Sequence, residues 1–173
     1  VWIGSRGSVI MGSDGHRILV GRVTDLGRKS QADNLTGLRK SERLCMDVEG
    51  LMRDKPGTIR YIMRLGIDNF KEINEKEGME AGNEVLLELA GDIEEVVGDK
   101  VDVYRLVADE FMIVDATDSK DEPEQVYERI RARITRTVRE KEYSCFYTVS
   151  AGVMKKDIEG RSSKEILQRT EFA

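Results

Sequence analysis

Thr58-Ile59-Arg60-Tyr61-Ile62-Met63-Arg64-Leu65-Gly66-Ile67 is the run that decides the fold. It is rich in β-branched and aromatic residues and follows the punctuation of Pro56-Gly57, so it predicts a strand. The chain then turns at Asp68-Asn69 and continues as Phe70 to Glu77, a short helix stopped by Gly78. Working downstream, Asn83 to Val97 carries Val85, Leu86, Leu89, Ile93 and Val96 on one helical face and ends at Gly98-Asp99-Lys100. Val101 to Leu106 and Phe111 to Val114 are strands close enough to form a hairpin. Glu124 to Lys141 is a helix with the core stripe Val126, Ile130, Ile134 and Val138. Its Arg129, Arg133 and Arg136 read as a solvated charged face. Phe146 to Val153 is a strand, and Ser162 to Arg169 opens a last helix. Upstream, Ser41 to Arg53 is a helix with Leu44, Val48, Leu51 and Met52 at helical spacing. This order predicts an α+β sandwich, helices packed on a mainly antiparallel sheet.

The first 25 residues read differently. Ser8 to Met11 and Arg17 to Val23 are short apolar-rich runs joined by Ser13-Asp14-Gly15, an N-terminal β-hairpin. A lone hairpin is marginal in water, so the pair is expected to belong to a larger sheet. The polar stretch around Gly27 and Ser30 reads as a linker. The expected division is therefore residues 1–25, a linker over 26–32, and a main domain over 33–173.

Composition removes several chemistries. Lys and Arg number 28 against 33 Asp and Glu, a net charge of −5, with 35% of residues charged in mixed sign. That argues against a dedicated nucleic-acid binder. His16 is the only histidine, so neither a multi-histidine zinc site nor a Ser-His-Asp triad elsewhere can be built. Cys45 and Cys145 stand far apart in apolar surroundings and are expected to be buried thiols of a reducing, cytoplasmic compartment. No apolar run reaches the roughly 18 residues of a membrane span, so any membrane tether lies outside this segment.

Three stretches could carry chemistry. Asp33-Asn34-Leu35-Thr36-Gly37-Leu38 precedes the first helix, Ile67-Asp68-Asn69-Phe70-Lys71-Glu72-Ile73-Asn74 joins strand to helix, and Arg105-Leu106-Val107-Ala108-Asp109-Glu110-Phe111 crosses the hairpin. In a sheet of this kind Asp109 and Glu110 are expected beside the turn at Asp68 to Lys71. A carboxylate next to free N–H groups at a helix start can assemble a metal-triphosphate site. Ordinary surface roles for Lys71, Glu72 and Asn74, and a solvated turn pair for Asp109-Glu110, stand against that reading.

In these three stretches and their spacing the chain resembles the GGDEF family, diguanylate cyclases that condense two GTP into cyclic di-GMP. The resemblance runs from Asp33 to Ala173 and takes in Gly78, Gly82 and the later strand Val149-Ser150-Ala151-Gly152-Val153. It implies a ferredoxin-like palm of the nucleotidyl cyclase type. It also implies nucleotide contacts at Asn69, Phe70, Lys71, Asn74 and Asn83, catalytic roles for Asp109 and Glu110, and Mg²⁺ held by Asp109 and the Ile67 backbone. Residues 2–29 resemble the tail of a PAS sensor domain.

The chain also departs from the family. Gly66 stands where the family has a metal-binding aspartate. Asp68 is two residues further along, about 6.6 Å away on a strand, and is a poor substitute. Val107-Ala108 replace the signature glycines, and a β-branched residue at positive φ would be strained. Met79 replaces a histidine. Asn83 replaces an aspartate, and an amide offers guanine one acceptor oxygen where a carboxylate offers two. Gly98-Asp99-Lys100-Val101 lacks the Arg-x-x-Asp pattern of product inhibition. Three readings follow. The first is a degenerate signalling domain that binds GTP loosely or not at all, passing a PAS signal to a downstream, EAL-type phosphodiesterase. The second is an active cyclase using Mg²⁺. The third is a nucleotide-free dimerisation module.

Overall fold

A computed structural model describes residues 3–11, 17–25, 31–140, 146–155, 158 and 160–171. The chain divides into two compact units, Val1–Ala32 and Asp33–Ala173. In the first, β1 (Ile3–Met11) and β2 (Arg17–Asp25) pair antiparallel, with Ile3 opposite Asp25 and Met11 opposite Arg17. The strands are longer than the apolar runs predict, because ladder hydrogen bonds extend through the polar flanks. The Ser13-Asp14-Gly15 turn and most of the expected linker lie outside the described residues.

The second unit is a five-stranded sheet with helices on both faces, the α+β sandwich that the element order predicts. Its elements are β3 (Arg39–Lys40), α1 (Ser41–Asp54), β4 (Tyr61–Ile67), α2 (Phe70–Glu77) and α3 (Met79–Val97). They continue with β5 (Asp102–Arg105), β6 (Glu110–Asp115), α4 (Pro123–Glu140), β7 (Val149–Met154) and α5 (Ser163–Arg169). The strand order is β3-β5-β6-β4-β7, antiparallel throughout except where β3 runs parallel to β5.

The deciding run is the centre of this sheet. Six of the seven β4 residues are buried, as an apolar strand covered on both faces must be. Tyr61, Met63, Leu65 and Ile67 point into a core shared with α3 and α4. Ile62 points to the opposite core, under α1 and α5. Thr58 to Arg60, expected in the strand, precede it. Conversely, α3 begins at Met79, four residues before the expected Asn83, because its first turn, Met79-Glu80-Ala81-Gly82, buries only Gly82 and so carries no apolar stripe.

Phe146 to Thr148 likewise fall outside β7, and Phe146 is 82% exposed. The two-residue β3 carries no sequence signal and is visible only through its pairing with β5. On α4, Arg129 pairs with Asp121, while Arg133 bridges to Asp92 and Glu95 of α3, so part of the expected solvated face is a helix-to-helix tie. Cys45 is half-buried rather than buried, because α1 turns only Leu44 and Val48 fully inward. Cys145 lies outside the described residues. Among the described residues no helix is long and apolar enough to cross a membrane.

Gly152 is a packing requirement. A Cβ there would collide with the backbone carbonyl of Thr170, so the end of α5 rests directly on the β7 backbone. α5 is started by a reciprocal capping box, Ser162 N–H donating to Glu165 Oε2 at 2.9 Å and Glu165 N–H to Ser162 Oγ at 3.3 Å.

Candidate functional site

The β5–β6 hairpin closes through a tight turn. Leu106 N–H donates to Glu110 O at 2.8 Å and Glu110 N–H to Val107 O at 3.0 Å. The left-handed position is Ala108, at φ +53°, not Val107. The expected strain on a β-branched residue is therefore avoided: the unbranched alanine takes the unfavourable φ and Val107 stands 69% exposed at the tip. Beside the turn, Gly66 at the end of β4 lies opposite Glu110 on one side and Ser150 on the other. Gly66, Ile67, Asp68, Val107, Asp109 and Glu110 share a cavity of about 250 Å³.

Its three carboxylates are in different states. Burial raises the pKa of Asp109, and the neighbouring charge of Glu110 adds to this, while its own N–H and that of Ile67 act in the other direction. Asp68 is tied to the β7 side, accepting from Thr148 Oγ1 at 2.5 Å and Ser150 Oγ at 2.6 Å. Glu110 takes both oxygens to Arg64 Nη2, at 2.7 Å each, and the Nη1 of the same guanidinium donates to the Leu167 carbonyl of α5 at 3.1 Å. The hairpin and strand end therefore meet as expected, and of the three only Asp109 lacks a side-chain hydrogen-bonding partner among the described residues.

The opening motif is fully built. Thr36 N–H and Oγ1 each donate to Asp33 Oδ1 at 2.9 Å, and Arg105 Nη1 donates to the same oxygen at 2.7 Å. Arg105 Nε and Nη2 donate to Ala108 O at 3.2 and 2.7 Å, so this arginine binds the opening turn to the hairpin tip. Burial pushes the Asp33 carboxyl up, but the Thr36 N–H, the Thr36 hydroxyl and the Arg105 guanidinium outweigh it and hold the pKa at about 2.

Comparison with known proteins decides the family. The model of the family described as "Diguanylate cyclase, GGDEF domain" matches residues 30–173. The chain belongs to the GGDEF family. The diguanylate cyclase DosC of Escherichia coli is 33% identical over 84 residues, covering 49% of this chain and 18% of that protein. The diguanylate cyclase DgcP of Pseudomonas aeruginosa is 34% identical over 114 residues, 64% of this chain and 17% of its own length. The chain thus spans under a fifth of these curated relatives. Among solved structures, diguanylate cyclase SiaD from Pseudomonas aeruginosa, in complex with its activator SiaC, superposes with a TM-score of 0.67 at 28% identity. That match covers 84% of this chain and 57% of SiaD.

The other GGDEF candidates sit apart from the hairpin cavity. Asn69 adopts a left-handed φ of +58° ahead of α2 and is exposed. Lys71 is 87% exposed, 3.6 Å from Glu75. Asn83 is exposed on α3. Asn74 and Phe70 pack on Gly82, where a Cβ would collide with Asn74 Oδ1. That oxygen is buried and has no hydrogen-bond partner among the described residues. None of these five lines the hairpin cavity.

Mg²⁺, which the family uses in catalysis, does not fit the donors this GGDEF domain presents. Gly66 supplies no side chain, Asp68 is bound by two hydroxyls, Glu110 is bound by Arg64, and Asp109 alone is a poor clamp for hard cations. Among the described residues no three His, Cys, Asp or Glu side chains are grouped to hold a metal. Sequence reading missed Arg64, Thr148 and Ser150. The available signal for Arg64 was a long cation in the middle of an apolar strand, which a buried position tolerates only beside a carboxylate.

Proposed function

We propose that this GGDEF domain is a regulatory module of cyclic di-GMP signalling that turns GTP over very weakly or not at all. The observation that carries the reading is the fate of the carboxylates around Gly66: one family position is a glycine, and two of the three remaining carboxylates are occupied by protein partners. GTP, if taken, is held loosely by Lys71, Asn74 and Asn83 beside Asn69 and Phe70, with guanine selectivity reduced by the amide at position 83. In the fuller protein the domain, residues 33–173, takes a signal from a PAS-type unit ending near residue 25 through a linker at 26–32. It hands that signal to a downstream partner such as an EAL phosphodiesterase, alone or as a homodimer, in the cytoplasm. No nucleic acid is a partner.

Calorimetric titration of GTP with and without Mg²⁺, beside a cyclic di-GMP assay, tests this. The expected result is no product from the natural sequence and no tightening by Mg²⁺. The Gly66→Asp, Val107→Gly, Ala108→Gly variant is expected to gain Mg²⁺-dependent GTP binding. Cyclic di-GMP made by the natural sequence overturns the proposal. That outcome is the second reading, an active cyclase, which the likeness to proteins named as diguanylate cyclases supports. A GTP titration that stays silent even in the triple variant identifies a pure interaction module.

A further inference from the structure

Two glycines make room around Arg64. Strand alternation puts this arginine on the same face of β4 as Ile62, the face under α1 and α5. On that face Gly152 of β7 lies opposite Arg64, and Gly66, two residues along β4, lies opposite Glu110 of β6. Gly66 adds no side chain, so the diagonal from Arg64 to Glu110 is open to a long side chain. Gly152 adds none either, and a Cβ there would collide with the Thr170 carbonyl. The end of α5 therefore comes down on the sheet beside the guanidinium.

One planar group then joins three elements. Arg64 Nη2 donates to both Glu110 oxygens at 2.7 Å, and Nη1 donates to the Leu167 carbonyl at 3.1 Å. Thr170 Oγ1 donates to the same carbonyl at 3.2 Å, and Thr170 is fully buried. Leu167 is in the last turn of α5, where helix carbonyls lack intrahelical partners and a cation is favoured. Ile166 anchors the helix in the core below. With α5 in place the Arg64 side chain is 12% exposed and that of Glu110 26%.

Cover decides the strength of the pair. An ion pair open to water is weak, whereas one under a helix end, with the guanidinium fork held at both tips, is strong. In the other direction, a guanidinium without its counter-ion resists being covered. The seat of α5 and the Arg64–Glu110 pair therefore strengthen each other, and by linkage the coupling is the same read from either end.

We propose that α5 is a latch on the signature hairpin. Seated, it keeps Glu110 on Arg64; lifted, it lets water reach the pair and frees the carboxylate at the wall of the hairpin cavity. Use of the latch as a control point rests on the regulatory function proposed above, with the downstream partner acting on α5. The coupling itself does not rest on that reading.

Native-state hydrogen exchange on the full chain, without nucleotide, tests the latch. The reporters are the amides of Leu106 and Glu110, which close the hairpin, and the Thr170 amide, which donates to Ile166 O at 3.1 Å. Ile166→Ala removes a buried anchor of α5 and leaves the Arg64 and Glu110 side chains in place. It is expected to speed exchange at Thr170 and, by about tenfold, at Leu106 and Glu110, the worth of one charge-assisted hydrogen bond. In an Arg64→Leu, Glu110→Gln background the pair is replaced without orphaning either partner, and Ile166→Ala is expected to speed Thr170 alone. Glu110→Gln by itself leaves the Arg64 charge under α5 without its counter-ion. It is expected to speed exchange at Thr170 several-fold, and it decides the matter should Ile166→Ala fail to fold. Three results overturn the latch: an unchanged hairpin when Ile166→Ala speeds Thr170, an equal hairpin effect in the pair-replaced background, or an unchanged Thr170 amide in Glu110→Gln. Cyclic di-GMP made by the natural sequence overturns the proposed function and leaves these exchange results standing, so the two fail separately.

Discussion

Two arginines flank the same hairpin, and they hold it in different ways. Arg105 reaches out to Asp33 and to the Ala108 carbonyl, joining the tip to the opening turn through motif residues at the domain surface. Arg64 reaches up from inside the sheet to Glu110 and the Leu167 carbonyl, at a position where strand alternation would place an apolar side chain over α5. The first tie leaves its carboxylate strongly ionised at a half-buried site. The second ties up a signature carboxylate that lines the cavity and commits it to structure. Two carboxylates tied to one small hairpin, Asp33 from the opening turn and Glu110 on β6, can thus be a held charge or a spent one, depending on which element supplies the cation.

Cutting the inner tie is expected to have the largest effect. Arg64→Leu leaves Glu110 facing an apolar side chain and is expected to cost about 2–4 kcal/mol in urea unfolding. Adding Glu110→Gln should recover part of the loss; no recovery would mean the pair is not the source. Next, Gly152→Ala pushes a methyl group against the Thr170 carbonyl and is expected to cost about 1–3 kcal/mol. Hydrogen exchange should rise along α5 and at Glu110 together if Arg64 couples them.

The outer tie is tested by pH. The Asp33 carboxyl titrates at about 2 in the folded chain and near 3.9 when unfolded. Its depressed value therefore stabilises the fold above roughly pH 4, and that contribution is lost as pH falls through the folded value of about 2. The loss is about 1–2 kcal/mol once screening at this half-buried site is allowed for. Asp33→Asn should flatten this part of the stability profile. The smallest effect is expected from Ala108→Gly, which relieves a left-handed φ and should gain up to about 1 kcal/mol, or nothing if the added chain freedom offsets it.

Elements whose burial is periodic were legible in the sequence. The doubly buried β4, the helical stripes of α3 and α4, and the α2 boundary at Gly78 all follow from residue spacing. Elements that depend on partners were not. β3 exists only because β5 lies beside it, and the first turn of α3 buries only Gly82, which has no side chain to mark it as apolar. At the site, the three motifs marked where chemistry would be, and the hairpin does meet the strand end. The partners of each carboxylate lay out of reach, because Arg64, Thr148 and Ser150 are brought in by sheet register, with Gly66 opposite Ser150 and Glu110. The positive φ was assigned to the wrong residue of Val107-Ala108 for the same reason: turn geometry is set by the ladder on both sides, not by the order of side-chain types.

The place of β4 between β6 and β7 has a consequence for the order of folding. The β5–β6 hairpin and the α2–α3 pair are made of near neighbours and can form early. The central strand cannot complete its ladder until residues 149–154 arrive to lie against residues 62–67. Closing so long a loop is entropically slow. A chain still being synthesised must therefore carry its most apolar strand half-covered until β7 is made, and this GGDEF domain is expected to fold late and in one cooperative step.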